Sequence, residues 1–227
     1  MKKLFLLSCI FLLAFLIRPI NAQVQIGVQA GVNLTDINMD LTTQEGFNTA
    51  MRTRAIMGGI ITYNFLPMLS LQAEPAYVQK GADANFSIIE TGFNVDIKAN
   101  ISADYIDVPI LLKASLPMEF IKPYLIAGGS VAFLVGDAKL RVDGASINGQ
   151  DVISLVPDSL KEETLLLKST DYILCFGGGV TIPIGLLEIF VEGRYDIGLT
   201  NINNDPTDDT EFKTTGVQIK AGLLFSL

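Results

Sequence analysis

Carboxylates, a glycine run and one acidic stretch are the groups in this 227-residue chain whose types and spacing could do chemistry. Glu188 and Glu192 stand on one face of an alternating apolar segment, followed by Arg194 and Asp196 on the same face. Paired carboxylates suggest general acid–base work of the glycosidase type. On a strand, however, this pair is about 13 Å apart at a rise of ~3.3 Å per residue, too far for a glycosidase pair. The four residues instead read as part of an interior ion-pair network, because charges held away from water must be paired. A second candidate runs from Asn201 to Glu211 and carries Asn203, Asn204, Asp205, Asp208 and Asp209. Oxygen-rich loops bind calcium, but this spacing does not match an EF-hand loop, and Pro206 and Thr207 interrupt it. It reads as a solvated loop. The run Gly177-Gly178-Gly179 is not a phosphate loop, since no Lys-Ser/Thr follows it. Interior crowding or a strand bend accounts for it. The chain has no histidine, which removes Ser-His-Asp and Cys-His catalysis and any His-based zinc site. No catalytic residue, metal ligand or cofactor site is expected.

The elements that must position these residues begin after an export segment. Lys2 and Lys3 form a charged start, Leu4 to Ile17 is an apolar run broken only by Ser8 and Cys9, and Arg18 and Pro19 end it. Ile20-Asn21-Ala22 then offers a cleavage site before Gln23, so residues 1–22 read as a signal peptide and 23–227 as one domain. Leu6-Leu7-Ser8-Cys9 resembles a lipobox, but it would waste the apolar run beyond the cysteine. Removing Lys2, Lys3 and Arg18 takes the basic count from 16 to 13 against 24 acidic residues, and the net charge from −8 to −11. That balance argues against nucleic acid as a partner. Much of the acidity clusters in two stretches: Asp137, Asp143, Asp151, Asp158, Glu162 and Glu163 in one, and Asp205, Asp208, Asp209 and Glu211 in the other. Cys175 alone remains after cleavage, inside an apolar segment, and reads as an inert packing residue.

Beyond residue 22, period-two alternation predicts eight strands: 25–34, 54–65, 69–80, 104–116, 122–136, 169–182, 186–200 and 217–227. The gaps between them alternate long and short. Thr35–Met51, Gly81–Ala103, Asp137–Lys168 and Asn201–Lys213 are long; Leu66–Met68, Pro117–Ile121 and Pro183–Gly185 are short. A meander whose long gaps all fall at one end matches transmembrane barrels of outer membranes, with short periplasmic turns and longer extracellular loops. Within the largest gap, Val156 to Glu163 reads as a short helix with proline and acids at its start.

The faces decide between a soluble and a membrane barrel. Ile26, Val28, Ala30, Val32 and Leu34 share one face of the first strand, opposite Gly27, Gln29, Gly31 and Asn33; the last strand repeats the pattern. The polar face is poor in charge, and its charges balance five against five: Arg54, Lys80, Lys113, Arg194 and Lys220 against Glu74, Asp107, Glu188, Glu192 and Asp196. Such parity suits a confined interior. The apolar face carries Tyr63, Phe65, Tyr77, Tyr195 and Phe225 towards strand ends, where aromatic girdles meet headgroups. Gly27, Gly31, Gly58, Gly128, Gly177 and Gly222 would point inward, leaving room for neighbouring side chains. The predicted fold is therefore all-β: an eight-stranded, antiparallel, up-and-down transmembrane barrel. A barrel of that size fills with side chains rather than water.

Five stretches carry a family resemblance. They are 26–34 (IGVQAGVNL), 71–81 (LQAEPAYVQKG), 105–113 (YIDVPILLK), 122–128 (KPYLIAG) and 192–202 (EGRYDIGLTNI). In this order they resemble the PorT family of outer-membrane β-barrel proteins of Bacteroidota, across essentially the whole mature chain. Where that family usually ends in an aromatic residue, this chain ends Phe225-Ser226-Leu227. The resemblance implies the outer membrane of a Gram-negative bacterium, contact with its lipid, and the barrel-assembly machinery as a partner in biogenesis. It implies biochemical function poorly, although the namesake is linked to secretion. The function expected is non-enzymatic, structural or interactive, with external loops contacting a protein partner or envelope component. An accessory role in a secretion or transport complex, and a small-molecule binder or narrow pore, stand as alternatives.

Overall fold

The computed structural model describes residues 24–39, 47–90, 93–157, 161–204 and 212–227. Alternating side chains in these segments produce strands: β1 (Val24–Met39), β2 (Phe47–Leu66), β3 (Leu69–Ala73), β4 (Ala76–Glu90), β5 (Phe93–Ser115), β6 (Lys122–Leu134), β7 (Ala138–Ile147), β8 (Gln150–Asp151), β9 (Glu162–Leu165), β10 (Thr170–Ile184), β11 (Leu187–Gly198) and β12 (Phe212–Ser226). Every pairing is antiparallel. Going round, β1 pairs with β2, β2 with β3 and β4, these with β5, β5 with β6, β6 with β10, β10 with β11, β11 with β12, and β12 again with β1. The sheet closes into a ring, which leaves no edge along the wall.

That ring has eight members, because β3 and β4 are one wall strand. The register to β5 carries unchanged across the break, from Ala73↔Ile110 to Ala76↔Asp107. Pro75 lies in the break and Pro109 opposite it on β5, and neither has an N–H to donate to the ladder. Their carbonyls still serve: Glu74 N donates to Pro109 O at 3.1 Å and Gly59 N to Pro75 O at 2.9 Å. The wall is interrupted in donors and continuous in path.

Faces follow the alternation. Val28 is 62 % exposed and Ile110 48 %, while Gln29, Lys113 and Lys220 are buried. The girdle residues Tyr63, Phe65, Tyr195 and Phe225 all lie on the exposed face, and Tyr77 on the same face is half-buried. Towards the long-linker end Tyr195 packs on Phe176, ring centroids 5.4 Å apart. For β10, whose alternation the glycine run obscures, Asp171, Ile173, Cys175 and Thr181 are buried inside, and Tyr172, Leu174, Phe176, Val180 and Ile182 are exposed outside.

Two expectations are corrected. Among the described residues, the long linkers Thr35–Met51, Gly81–Ala103 and Asp137–Lys168 are largely strand rather than loop. β1 runs on to Met39 beside β12, and β4 and β5 form a single hairpin pairing from Ala76↔Asp107 out to Glu90↔Phe93. At Ser102, β5 exchanges β6 for β7, and β7 in turn pairs with β9 and β8. The result is a sheet of β4, β5, β7 and β9 that continues the wall beyond the ring. Within it, Asn148 (φ 50°) and Gly149 (φ 78°) make the tight β7–β8 turn, the Asn-Gly pair that favours such turns. The helix expected at Val156–Glu163 is absent among the described residues. A single 3-10 turn covers Ile153–Leu155, and Glu162 and Glu163 lie in β9. Paired with β7, these two residues have strand partners that a helix would deny them. Of the Asn201–Glu211 stretch, residues 205–211 lie outside the described residues, as does the segment read as a signal peptide.

The interior is divided. Tyr105, Leu111, Tyr124, Ile126, Ile173 and Cys175 form a buried apolar cluster from β5, β6 and β10. Smaller clusters are Ile56 with Ala76 and Val78, and Ile60 with Phe190 and Leu224. The charged residues occupy the rest. Cys175 is buried inside this first cluster.

Candidate functional site

The buried charges centre on Glu74, which the β3–β4 break places with its carboxylate in mid-barrel, 1 % exposed. Its Oε2 accepts from Arg194 Nη1 at 3.0 Å, from Gln29 Nε2 at 3.3 Å and from Lys220 Nζ; Gln72 Nε2 donates to Oε1 at 2.5 Å. Lys220 Nζ also lies 2.9 Å from Glu192 Oε1, and Tyr124 Oη donates to Glu192 Oε2 at 3.1 Å. Arg194 Nη2 donates to Gln218 Oε1 at 2.7 Å, and its Nε lies 3.2 Å from Asp196 Oδ1. Gln218 Nε2 closes the circuit by donating to Asp196 Oδ2 at 2.6 Å. Glu74, Glu192, Arg194, Asp196 and Lys220, from β11, β12 and the β3–β4 break, thus share one continuous network. A layer so bonded stands across the barrel, and each buried ion in it is met by an oppositely charged or hydrogen-bonding partner.

The other five sequence-predicted residues sit apart from that layer. Lys80 pairs with Asp171 at 3.0 Å and lies 4.8 Å from the centroid of the Tyr105 ring; Thr214 Oγ1 donates to the same carboxylate at 2.9 Å. Asp107 accepts a hydrogen bond from Ser130. Glu188 pairs with Lys122 at 2.7 Å near the short turns. Lys113 has its Nζ 4.0 Å from the centroid of the Tyr124 ring. Arg54, at the opposite end, donates to Asn100 Oδ1 at 3.0 Å. The Glu188–Glu192 pairing considered for acid–base chemistry is divided between two partners, Lys122 for one and Lys220 for the other.

Asp171 and Lys122 were missed. Both were legible in parity: Lys122 shares the face of Tyr124 and Gly128, and Asp171 that of Cys175. The glycine run hid the second. With them the set gains one anion and one cation, and its balance is kept.

The glycines explain how the layer fits. A Cβ on Gly179 would come 2.6 Å from Tyr124 Oη, and one on Gly222 would come 2.6 Å from the Phe190 ring. Both small residues leave space for a large neighbour's side chain. Asn201, the first residue of the oxygen-rich stretch weighed for calcium, spends its side-chain oxygen on the backbone: it accepts from Asn203 N at 3.0 Å and Phe212 N at 2.9 Å. Among the described residues no cluster of three or more His, Cys, Asp or Glu is arranged to hold a metal ion.

Two polar cavities flank the layer. One, about 270 Å³, opens at the short-turn end and is lined by Lys113, Lys122, Glu188, Thr181, Ser115 and Ser70 among others. The second, about 280 Å³, lies at the other end against Arg54, Asn100, Lys139, Arg141, Asp143 and Glu162. They share no lining residue. At that second end Glu162 joins β9 to β7 by ion pairs to Lys139 (2.6 Å) and Arg141 (3.4 Å). The hydrogen bond from Lys139 and the charges of Lys139 and Arg141 hold its carboxyl below the usual carboxylate range.

A family model described as an outer membrane protein beta-barrel domain matches residues 19–204. A search of curated proteins found no match. Among solved structures, OprG of Pseudomonas aeruginosa is similar at 14% identity, covering 90% of this chain and 96% of that one, with a TM-score of 0.48. Neisserial surface protein A is similar at 13% identity, 89% and 97% coverage and a TM-score of 0.44. The attachment invasion locus protein of Yersinia pestis is similar at 10% identity, 89% and 99% coverage and a TM-score of 0.40.

Proposed function

The chain belongs to the outer membrane protein beta-barrel domain family, and from that premise we propose that it is a non-enzymatic barrel whose outer strands contact a protein partner or envelope component. It is a protein of the Gram-negative outer membrane. The observation that carries the reading is the sheet of β4, β5, β7 and β9 rising past the ring. The ring closes without β7 and β9, so their pairing with β5 is not needed to complete the wall, and a paired platform there offers a rigid surface. The layer around Glu74 weighs against the narrow-pore alternative. A narrow pore would need a path through it, and the cavities on its two sides are separately lined.

In the same reading residues 1–22 are a signal peptide removed before Gln23, the barrel-assembly machinery inserts the barrel, and the short turns face the periplasm. Membership of the PorT group refines the family, on the five stretches already named. Outer-membrane lipid surrounds the apolar face, and nucleic acid is no partner of so acidic a chain.

The test is at the platform tip. Asn148→Cys should react with a membrane-impermeant maleimide in intact cells, because Cys175 is buried and stays silent. A photo-crosslinker at the same position should then give a discrete protein or glycolipid adduct. Labelling only after the outer membrane is permeabilised would reverse the orientation, and labelling without any adduct would remove the contact role. Recovery of the adduct in a large envelope complex would instead favour an accessory role in secretion or transport.

A further inference from the structure

Lys113 is the odd member of the buried charges. It is 5 % exposed, yet among the described residues its ammonium has no carboxylate within ion-pair distance, only the face of the Tyr124 ring. The carboxylates whose fields reach it, Glu192, Glu188 and Glu74, are each bonded to another cation: Lys220, Lys122, and Arg194 with Lys220. A buried ammonium on an aromatic face, with its remaining donors undirected, is held short of a hydrogen-bonded partner. It lines the cavity of about 270 Å³ at the short-turn end. Thr181 lines the same cavity, is 2 % exposed, and its Oγ1 has no hydrogen-bond partner among the described residues. Ser115, Ser70 and Ser226 add hydroxyls to the lining.

We propose that this cavity binds a phosphate-type oxyanion, with Lys113 as its cation and Thr181 and Ser115 as hydroxyl donors. The lining is suited to an oxyanion in two ways. Ammonium and hydroxyl groups supply the charge-assisted hydrogen bonds that such an anion accepts. Glu188, the one carboxylate in the lining, has its charge met by Lys122 at 2.7 Å, so it does not face the anion unpaired. The volume holds a phosphate group with space for a short substituent.

The phosphate has two chemical sources. It can be free in the periplasm, or it can be the headgroup of a phospholipid in the inner leaflet. The second source has a route, because Leu66, Pro67 and Ser115 line both this cavity and an apolar groove of about 670 Å³ on the outer wall. The rest of that groove is lined by Met68, Leu69, Ala114, Leu116 and the run Pro123-Tyr124-Leu125. An acyl chain in the groove would leave its headgroup at the rim of the cavity.

The experiment uses the full barrel refolded in phosphate-free micelles. Inorganic phosphate is titrated calorimetrically, and the barrel is separately placed in nanodiscs of phosphatidylcholine with or without phosphatidylglycerol and examined by native mass spectrometry. Binding of inorganic phosphate assigns a free-anion site; retention of phosphatidylglycerol without binding of inorganic phosphate assigns a headgroup site. Either should weaken by about tenfold or more in Lys113→Met, the scale of one lost charged hydrogen bond. Thr181→Val keeps the test open should Lys113→Met fail to fold, and it should weaken binding in the same direction. Binding of neither probe by the folded wild-type barrel overturns the proposal. So does unchanged affinity in a folded Lys113→Met or Thr181→Val barrel.

Discussion

Glu74 shows how a single side chain organises this interior. Its carboxylate serves two cations and two carboxamides, so removing it leaves Arg194 and Lys220 buried with fewer partners. Glu74→Ala should therefore lower stability by about 3–5 kcal/mol, the cost of stranding a buried charge. Urea-dependent folding into lipid vesicles measures it. Adding Lys220→Met should recover part of the loss, and no recovery would mean that packing rather than charge sets the effect. Glu162 makes the opposite case, being fully on the surface. Its folded-state carboxyl titrates below the ordinary 4.5, so the tether it makes between β7 and β9 is present above that value and is lost as pH falls through the lowered one. Hydrogen exchange at Leu140 and Arg141, taken relative to the intrinsic amide rate at each pH, should rise on acidification through this window. In Glu162→Gln it should already be raised at neutral pH and show no such step.

At the scale of elements, the seam between β1 and β12 closes the ring, and it depends on close backbone approach. A Cβ on Gly31 would fall inside contact distance of the Ile219 carbonyl oxygen and the Lys220 backbone. These are main-chain atoms that cannot swing aside. Gly31→Val should block closure, seen as loss of the compact, faster-migrating band of unboiled protein on gels. Gly193→Ala is the matched control, since nothing lies within 4 Å of a Cβ there; an equal loss would mean that glycine acts through chain flexibility instead. The inward glycines were legible in the alternation, but the reason for them was not. Gly179 and Gly222 leave room for Tyr124 and Phe190 as well as for a neighbouring strand carbonyl, whereas Gly27, Gly31 and Gly128 chiefly allow the neighbouring backbone to approach. Approach distance is a property of paired strands, and a single strand's sequence does not contain it. The Asn148-Gly149 pair is a hairpin signal readable in the sequence, lying inside a gap otherwise expected to be loop.

For the whole molecule, the outward face must meet lipid. Ile110 is half-exposed in the middle of β5's outward row, and Ile110→Arg should cost about 2–4 kcal/mol at the bilayer midplane. Folding free energies measured in vesicles test it, and a neutral result would mean that the faces are reversed. The parity of charge that first suggested an enclosed interior is served by unequal groups rather than neat pairs. Glu74 takes two cations, Lys80 goes to Asp171, and Lys113 goes to an aromatic ring.

By itself the sequence determined the alternation, the order of strands, the inward side of nearly every strand and the absence of histidine chemistry. Those follow from a period of two and from composition, which are local. Only the tertiary structure decided which charges meet, because Glu74 and Lys220 are 146 positions apart and touch only once the ring is closed. It also decided that part of the interior is apolar, that Pro75 breaks one wall strand opposite Pro109 without shifting its register, and that three of the long gaps are largely strand among the described residues. Residues such as Ser102, Lys139 and Glu162 look like polar loop on their own; they become strand when a neighbour supplies the hydrogen bonds, and that neighbour is fixed by the fold.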